Sequence, residues 1–249
     1  MIKFKNFKWA NEVFDEIETI EGTPRVYLTP DGNFPSMTSI LKVLDDGGIE
    51  AWRQRIGVEE ADKITNAAGD RGNALHDYNE KYLQNKLDRK EMTGEARTLF
   101  NRVKQYLDEI DLVVATEVPL WSKELQYAGR VDCLGVKHDK MMVIDHKNSR
   151  RPINLSHEFG MKKALKYCIQ TTGYKKALLE MTGLDATHGC LIVGNHLTST
   201  SNRFIFPLDV FQDELKIVAE AYHTGKGVDR SAFFCNNKLE NLMKYIEVD

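Results

Sequence analysis

Two apolar runs between Ala128 and Ser149 each carry a carboxylate that could do chemistry. Asp132 lies within the run AGRVDCLGV, and Asp145 and Lys147 end the run MMVIDHK. Because side chains alternate along a strand, Asp145 and Lys147 are expected to project to the same face. If the two runs pair as antiparallel strands through the turn KHDK, Asp132 is expected to lie beside Asp145.

Two carboxylates and a lysine at the end of a sheet suit a hard divalent cation. Mg²⁺ keeps several waters and takes one or two protein carboxylates together with phosphate oxygens of a substrate. Lys147 could then orient or deprotonate a bound water, or stabilise charge on a phosphate that is being cleaved. The alternative is a solvated pair of Asp145 with Lys147, which contributes less than about 1 kcal/mol. Spacing alone leaves both interpretations open.

Three further residues with chemical potential lie in segments with helical patterns. Gln170 and Tyr174 are four residues apart in a predicted helix over 157–182, so they share a face. His76 lies in a predicted helical stretch over 61–83. Each residue taken singly has a structural alternative, namely a buried tyrosine with an exposed glutamine, and a helical histidine that binds nothing.

Together these residues resemble the core motif of the PD-(D/E)XK nuclease superfamily. That motif has an aspartate on one strand and D-x-K on the next, as Asp132, Asp145 and Lys147 are arranged here. Gln170 and Tyr174 are similar to the Q-x-x-x-Y motif of RecB-like exonucleases. The resemblance covers most of the chain, from about residue 34 to 174.

The resemblance implies roles for the residues that match it. His76, Asp132 and Asp145, together with the carbonyl of His146, would hold Mg²⁺ or Mn²⁺. Lys147 would position the attacking water. Gln170 and Tyr174 would support the site and contact DNA.

Glu117 and a serine-rich helix start add to the resemblance. The family often has a glutamate on the strand before the aspartate strand, although Glu117 could also be a surface charge. The segment FPSMTSIL is similar to the start of phage exonucleases and of the mitochondrial genome-maintenance exonuclease, where this helix start lies by the DNA. Ser36, Thr38 and Ser39 could hold a phosphate there, although helix capping by Ser36 or Thr38 explains the pattern equally well.

Positive charge is concentrated between residues 145 and 176, which carry eight lysines and arginines against two acidic residues. This segment could follow a phosphate backbone, although a solvated helix face is the alternative. Besides the three hydroxyl residues above, the predicted DNA-binding residues are Arg71, Arg130, Ser149, Arg150, Arg151 and Lys166.

The elements that must position these residues change character after residue 110. Residues 1–110 read as mainly helical, and Gly69 and Gly72 suggest that the stretch over 61–83 divides into two helices. Residues 111–249 alternate short apolar runs with helical patterns, which predicts a sheet-bearing core. We therefore expect one α/β nuclease domain over 1–249. It would have a restriction-endonuclease-like core, a mixed β-sheet flanked by helices, and a helical N-terminal elaboration.

Composition is compatible with this interpretation. The chain has 249 residues, 42% of them hydrophobic, and a net charge of −3, which suits a globular protein and excludes a wholly disordered or strongly basic chain. A nucleic-acid enzyme remains compatible because its positive charge can be confined to a groove. No apolar run could cross a bilayer, and the N-terminus lacks a secretory apolar core. We expect a cytoplasmic protein, in the host cytoplasm if it is phage-encoded.

The four cysteines are dispersed along the chain at Cys133, Cys168, Cys190 and Cys235. Paired C-x-x-C spacing is absent, so buried or half-buried thiols are expected. Some RecB-like nucleases hold an iron–sulfur cluster with clustered cysteines, and this dispersed arrangement predicts no iron–sulfur cluster here.

The resemblance implies a metal-dependent DNA exonuclease that acts on single-stranded DNA or duplex ends and leaves a 5′-phosphate. It points to replication, recombination or repair, in a bacteriophage. A structure-specific or sequence-specific endonuclease on the same core and a catalytically silent DNA-binding module are the alternatives. A nucleotide-binding G-x-x-x-x-G-K-[ST] motif is absent, so ATP-driven unwinding would need a partner. A helicase or a single-strand-binding protein is the candidate partner besides DNA.

Overall fold

The computed structural model describes residues 4–5 and 13–249. They form a mixed α/β structure in which a six-stranded mixed sheet is flanked by helices, and a small three-stranded antiparallel sheet precedes it. This architecture agrees with the α/β class expected from the sequence.

The first part of the described chain combines the small sheet with helices. Its elements in chain order are β1 (Glu18–Ile20), β2 (Val26–Thr29), β3 (Gly32–Pro35), α1 (Met37–Ile40), α2 (Gly48–Ile56), α3 (Val58–Leu83) and α4 (Gly94–Leu107). The segment PDGN contains the turn that joins β2 to β3, and Thr29 pairs with Gly32 across it. The expectation of a helical N-terminal part was incomplete because β1 and β3 are strands of only three and four residues.

The second part of the chain supplies the large sheet and the helices around it. Its elements are β4 (Leu112–Ser122), β5 (Tyr127–Lys137), β6 (Lys140–Ser149), α5 (Glu158–Thr182), β7 (His188–Asn195), β8 (Ser201–Pro207), α6 (Gln212–Thr224), α7 (Arg230–Phe233), α8 (Asn236–Met243) and β9 (Glu247–Val248). The strand order follows the numbering, β6 and β7 are parallel, and the other neighbours are antiparallel. A parallel pair needs a long crossover, and α5 provides it.

The helix α5 confirms the helix predicted over 157–182. It ends at Gly183, which has φ 74°. This left-handed conformation carries little strain for glycine and lets the cap satisfy a carbonyl of the last turn.

The large sheet divides the apolar core into two clusters, one on each face. Val143 belongs to the cluster that includes Leu165 and Ile169 of α5. Its neighbour Ile144 belongs to the cluster that includes Leu75 of α3 and Phe100 of α4. Alternation along β6 therefore anchors the strand from both sides, and each fully buried side chain of this size contributes about 1.5–3 kcal/mol.

The stretch over 61–83 is one continuous helix, contrary to the suggested division. Gly69 and Gly72 each cost about 1 kcal/mol relative to alanine, which weakens a helix without ending it. Asn148 of β6 supports this part of α3, because its Nδ2 donates a hydrogen bond to the carbonyl of Ala68 at 3.0 Å. Packing therefore outweighs the local cost of the two glycines.

The cysteines are divided between the core and the surface. Cys133, Cys168 and Cys190 are buried, which confirms the expectation for these three thiols. Cys235 is exposed, so the expectation of burial was wrong there; it directly precedes the short helix α8.

The helices of the described part of the chain include none with the length and apolarity needed to cross a membrane.

Candidate metal centre

The strands β5 and β6 form the hairpin predicted from the two apolar runs. Cys133 pairs with Ile144 and Leu134 pairs with Val143, and the turn follows Lys137. Just past the last of these pairs, the backbone N–H of His146 donates to Oδ2 of Asp132 at 2.5 Å. The Asp132 carboxylate thus lies at the point where β5 separates from β6.

The side-chain alternation of β5 is interrupted at Asp132. Strict alternation along a strand would place Val131 and Cys133 on one face. Instead Val131 packs in the cluster on the α5 side, and Cys133 packs in the cluster on the side of α3 and α4. The facing strand is also irregular. Glu117 has φ 53° and, like Asp132, is missing from the paired residues, and the register also shifts between Val113 and Ala115. This irregularity allows Asp132 to reach α3.

The residues His76, Asp132 and His146 form a group that could hold a metal ion. Their ligand atoms all lie within 4.8 Å of one another. Nδ1 of His76 is 3.4 Å from Oδ1 of Asp132, and Nδ1 of His146 is 3.9 Å from Oδ2. Nε2 of His146 is buried and has no hydrogen-bond partner among the described residues. An unsatisfied imidazole nitrogen beside a carboxylate and a second imidazole fits a metal site.

This group differs from the ligand set that the family resemblance implies. His76 and Asp132 belong to both sets. For His146 the resemblance implied the backbone carbonyl, whereas the structure brings the imidazole ring to the group. Asp145 is not a member of the group, because its carboxylate contacts Lys147 and Gln170 on the opposite side of the sheet.

Asp145 is held by two side chains on the α5 side of the sheet. Oδ2 lies 2.7 Å from Nζ of Lys147, and Oδ1 accepts a hydrogen bond from Nε2 of Gln170 at 3.2 Å. The same Gln170 nitrogen lies 3.1 Å from the Tyr174 hydroxyl, as expected for residues four apart on one helix face. Asp145 is only 1% exposed, so the alternative of a solvated surface pair is wrong.

The two aspartates have pKa values shifted in opposite directions. Burial alone would raise the pKa of Asp132, but the charge and contact of His76, followed by His146 and Lys147, outweigh burial and lower it. Burial raises the pKa of Asp145 to about 6, with Lys147 opposing this shift and Asp132 adding to it. Asp132 is therefore the firmly ionised carboxylate of the pair.

The two imidazoles also differ. Burial alone would lower the pKa of His76, but the Asp132 carboxylate outweighs burial and raises the pKa to about 9. Burial lowers the pKa of His146 to about 4. Without a metal, His76 thus carries a proton at neutral pH and His146 does not.

Lys147 is a charged ammonium at neutral pH. Burial alone would lower the pKa of Lys147, but the carboxylates of Asp145 and Asp132 outweigh burial and raise it. The ammonium lies 5.0 Å from the ring centroid of Tyr167 on α5. In this state Lys147 can donate hydrogen bonds and offset negative charge, but it is a poor base.

A cavity of about 860 Å³ opens beside these groups and is lined by His76, Asp132, Gln170 and Tyr174 among others. Glu117 also lines it, and burial, followed by the Asp132 charge, raises the pKa of Glu117 to about 7. Glu117 and Asp132 therefore line the same cavity, whereas the role of Glu117 stays a prediction.

The hydroxyl residues at the start of α1 lie beside the same cavity. Ser36 is the N-cap, and its Oγ accepts from the backbone N–H of Ser39 at 3.0 Å, so the capping interpretation is confirmed for Ser36. Ser36 and Thr38 line the cavity, whereas Ser39 is buried against the Ser36 hydroxyl. Phosphate binding by these residues stays a prediction.

The predicted DNA-binding arginines differ in their surroundings. Arg130 lines the cavity and pairs with Glu16 at 2.7 Å. Arg71 pairs with Glu95 at 2.8 Å. Arg150 and Arg151 are exposed just after β6.

Most lysines of the basic segment are neutralised within the protein. Lys166 pairs with Asp45 at 2.6 Å, and Lys162 pairs with Glu158 at 2.5 Å. Lys175 and Lys176 each contact two carboxylates. The net charge of this segment therefore overstates the positive charge that a nucleic acid could meet.

Lys163 was missed by the sequence analysis, which selected Lys166. It donates from Nζ to the Ser149 hydroxyl at 2.8 Å. Helical spacing could have identified Lys163. It precedes Tyr167 by four residues and Gln170 by seven, so the three side chains share one face of α5.

Comparison with protein-family models and with curated proteins finds no match to this chain.

Proposed function

We propose that this protein is a metal-dependent deoxyribonuclease with a RecB-like, restriction-endonuclease-like core. The observation that carries this proposal is the convergence of residues far apart in sequence. His76 contacts Asp132, and Gln170 contacts Asp145, which in turn contacts Lys147. These are five of the residues that the family resemblance selects, and the cavity beside them is large enough for part of a nucleic-acid strand.

The metal would be held by His76, Asp132 and the imidazole of His146. We propose Mn²⁺ or Mg²⁺, with Mn²⁺ preferred because imidazole nitrogens bind it better than they bind Mg²⁺. When bound, such an ion lowers the pKa of water and neutralises charge on a phosphate under attack.

The other side chains orient the substrate and offset its charge. Lys147 as an ammonium orients a water molecule and stabilises negative charge on the phosphate. Gln170 holds the Asp145 carboxylate, and Tyr174 holds the Gln170 amide, so Asp145 keeps Lys147 in place. Side chains fixed by such contacts need little rearrangement during the reaction.

The preferred activity is that of an exonuclease on single-stranded DNA or duplex ends, with hydrolysis that leaves a 5′-phosphate. An endonuclease on the same core is the alternative. A helicase or a single-strand-binding protein would be the partner that presents the strand.

The test is digestion of oligonucleotides labelled at the 5′ or 3′ end, single-stranded and duplex, with Mn²⁺, Mg²⁺ or EDTA. We expect cleavage with either metal and none with EDTA. Asp145→Ala and Lys147→Ala should each abolish cleavage, whereas Lys162→Ala, in a neighbouring basic position, should not. Cleavage retained by a folded Asp145→Ala or Lys147→Ala protein would refute the mechanism, and DNA binding without cleavage would favour the catalytically silent module.

Circular single-stranded DNA separates the two kinds of nuclease. An exonuclease needs an end, so we expect linear strands to be degraded while covalently closed circles stay intact. Degradation of circles at a comparable rate would favour the endonuclease.

A further inference from the structure

Three of the eight positive residues between 145 and 176 have no carboxylate partner in the part of the chain that the structure describes. They are Arg150, Arg151 and Lys163. The two arginines are exposed, so water solvates their charge. Lys163 is half-buried, and burial lowers its pKa without a neighbouring acid to oppose the shift. A half-buried ammonium without a counter-ion is costly, and an anionic ligand would remove that cost.

The side chains of β6 and α5 form a row of contacts that extends from the candidate active site to Lys163. Asp145 contacts Gln170, the Lys147 ammonium lies over the Tyr167 ring, and the Ser149 hydroxyl contacts Lys163. The strand residues are every second position of β6, and Ser149 lies about 13 Å from Asp145 along an extended strand. Lys163 and Ser149 are thus too far from Asp145 to touch the same phosphate.

An exposed aromatic residue lies next to Lys163 on the same face of α5 and extends this row. Phe159 is four residues before Lys163 on α5, so the two share a face and are about 6 Å apart along the helix axis. Its side chain is 81% exposed. Gly160 fixes the start of the helix, because a Cβ there would lie 1.9 Å from the carbonyl oxygen of Asn154. The Phe159 ring is therefore presented to solvent from a firmly packed helix.

We propose that Lys163 binds a backbone phosphate beside the cleaved one, and that Phe159 stacks on the adjoining base. The Ser149 hydroxyl, which accepts from Lys163 and donates to the Arg151 carbonyl, holds the ammonium in place. The inference rests on the proposed nuclease function and names its substrate as a single strand at this position, since a base inside a duplex is already stacked on both faces. Aromatic stacking contributes about 1–3 kcal/mol per base and tolerates any sequence. A lysine on phosphate adds a salt-dependent contribution that is also independent of sequence.

The first experiment measures the affinity of a fluorescein-labelled oligothymidine for the full chain in EDTA, over a range of salt concentrations. We expect Lys163→Gln to weaken binding about tenfold at low salt and to reduce the magnitude of the salt slope by about 0.7. Lys162→Gln is the matched control, because Lys162 is adjacent but already paired with Glu158. Equal effects of the two substitutions would overturn the phosphate assignment.

The second experiment tests stacking with oligonucleotides that carry one abasic nucleotide at successive positions. In the wild-type protein one position should cost about tenfold in affinity. Phe159→Ala should remove the penalty at that position and leave the others unchanged. Tyr245→Ala is the control, because this aromatic residue is also exposed, at 54%, but lies outside α5. If the abasic penalty persists in Phe159→Ala, the stacking role is wrong.

The outcomes also separate this inference from the proposed function. Metal-dependent cleavage by the wild type together with unchanged binding by both variants would overturn the inference alone. A wild type that neither binds nor cleaves DNA would overturn both. Thermal unfolding of each variant should match the wild type, because Phe159 is exposed and Lys163 only half-buried.

Discussion

The two sides of the β5–β6 strand pair hold their charges differently. On the α3 side, Asp132 is surrounded by two imidazoles, from His76 and His146, which could share a metal ion with it. On the α5 side, Asp145 is neutralised by Lys147 and held by Gln170. One side therefore has a group that could hold a metal ion, and the other has a buried ion pair.

The difference shows why two similar aspartates need not have similar roles. The imidazoles keep the pKa of Asp132 low, whereas burial raises the pKa of Asp145 to about 6. In active sites, neighbouring groups whose environments shift their pKa values in opposite directions typically have different roles. We interpret Asp132 as the principal metal ligand and Asp145 as the group that positions Lys147.

Asp132→Asn should have the largest effect, because it removes the ionised member of the metal group. We expect metal affinity and cleavage rate each to fall by about 10³-fold, which corresponds to about 4 kcal/mol. Calorimetric titration with Mn²⁺ and a cleavage assay measure the two losses. Asp139→Asn, on the exposed β5–β6 turn, is the matched control. Undiminished Mn²⁺ binding by Asp132→Asn would place the metal elsewhere.

Lys147→Met should show that the two sides of the strand pair contribute differently to cleavage and to metal binding. Cleavage should fall about 10²–10³-fold because a stabilising charge is lost, whereas Mn²⁺ affinity should change by less than about tenfold. The same substitution leaves Asp145 buried and unpaired, so the free energy of unfolding should fall by up to about 3–5 kcal/mol.

Adding Asp145→Asn to Lys147→Met should recover much of that stability but none of the cleavage. Urea unfolding and the cleavage assay check both parts. A parallel loss of metal affinity and cleavage in Lys147→Met would mean that the two sides act as one unit.

Metal binding should depend on pH through His76 and not through His146. The pKa of His76 is raised to about 9 in the metal-free protein, so a proton must leave before the imidazole can bind a metal. Mn²⁺ affinity should therefore rise about tenfold for each pH unit from 7 to 9 and then level off. His146, with a pKa of about 4, is already neutral in this range.

The pH experiment has a direct control in His76→Gln. Glutamine binds no proton, so the affinity of this variant should be lower and nearly independent of pH between 7 and 9. A slope that survives in His76→Gln would assign the competing proton to another group.

Of these four predictions, the one for Tyr174→Phe has the smallest expected effect. It removes the hydroxyl that contacts Gln170 and leaves the ring packed, which costs about 1 kcal/mol. We expect cleavage to fall about five- to tenfold and Mn²⁺ affinity to stay unchanged, because Tyr174 belongs to the α5 side. Single-turnover cleavage and Mn²⁺ titration provide the comparison, and a change in metal affinity alone would contradict this placement.

Much of the scaffold could be predicted because it follows from local patterns. Alternation along β6 predicted that Asp145 and Lys147 share a face, and the two side chains are in contact. Helical spacing predicted that Gln170 and Tyr174 lie together, and they are in contact. The short strands β1, β3 and β9 were missed because two to four residues contain too little periodicity to detect.

The sequence by itself determined which residues share a strand face or a helix face, since these relations depend only on the pleat and the helical repeat. Only the tertiary structure decided that Asp132 turns to His76, that the His146 ring joins them, and that Lys163 lacks a carboxylate partner within the described ranges. The physical reason is that charge neutralisation and metal-ligand geometry depend on contacts between different elements. Arg71 and Glu95 are 24 residues apart, and Lys166 and Asp45 are 121 residues apart. Periodicity along a single segment carries no information about such partners.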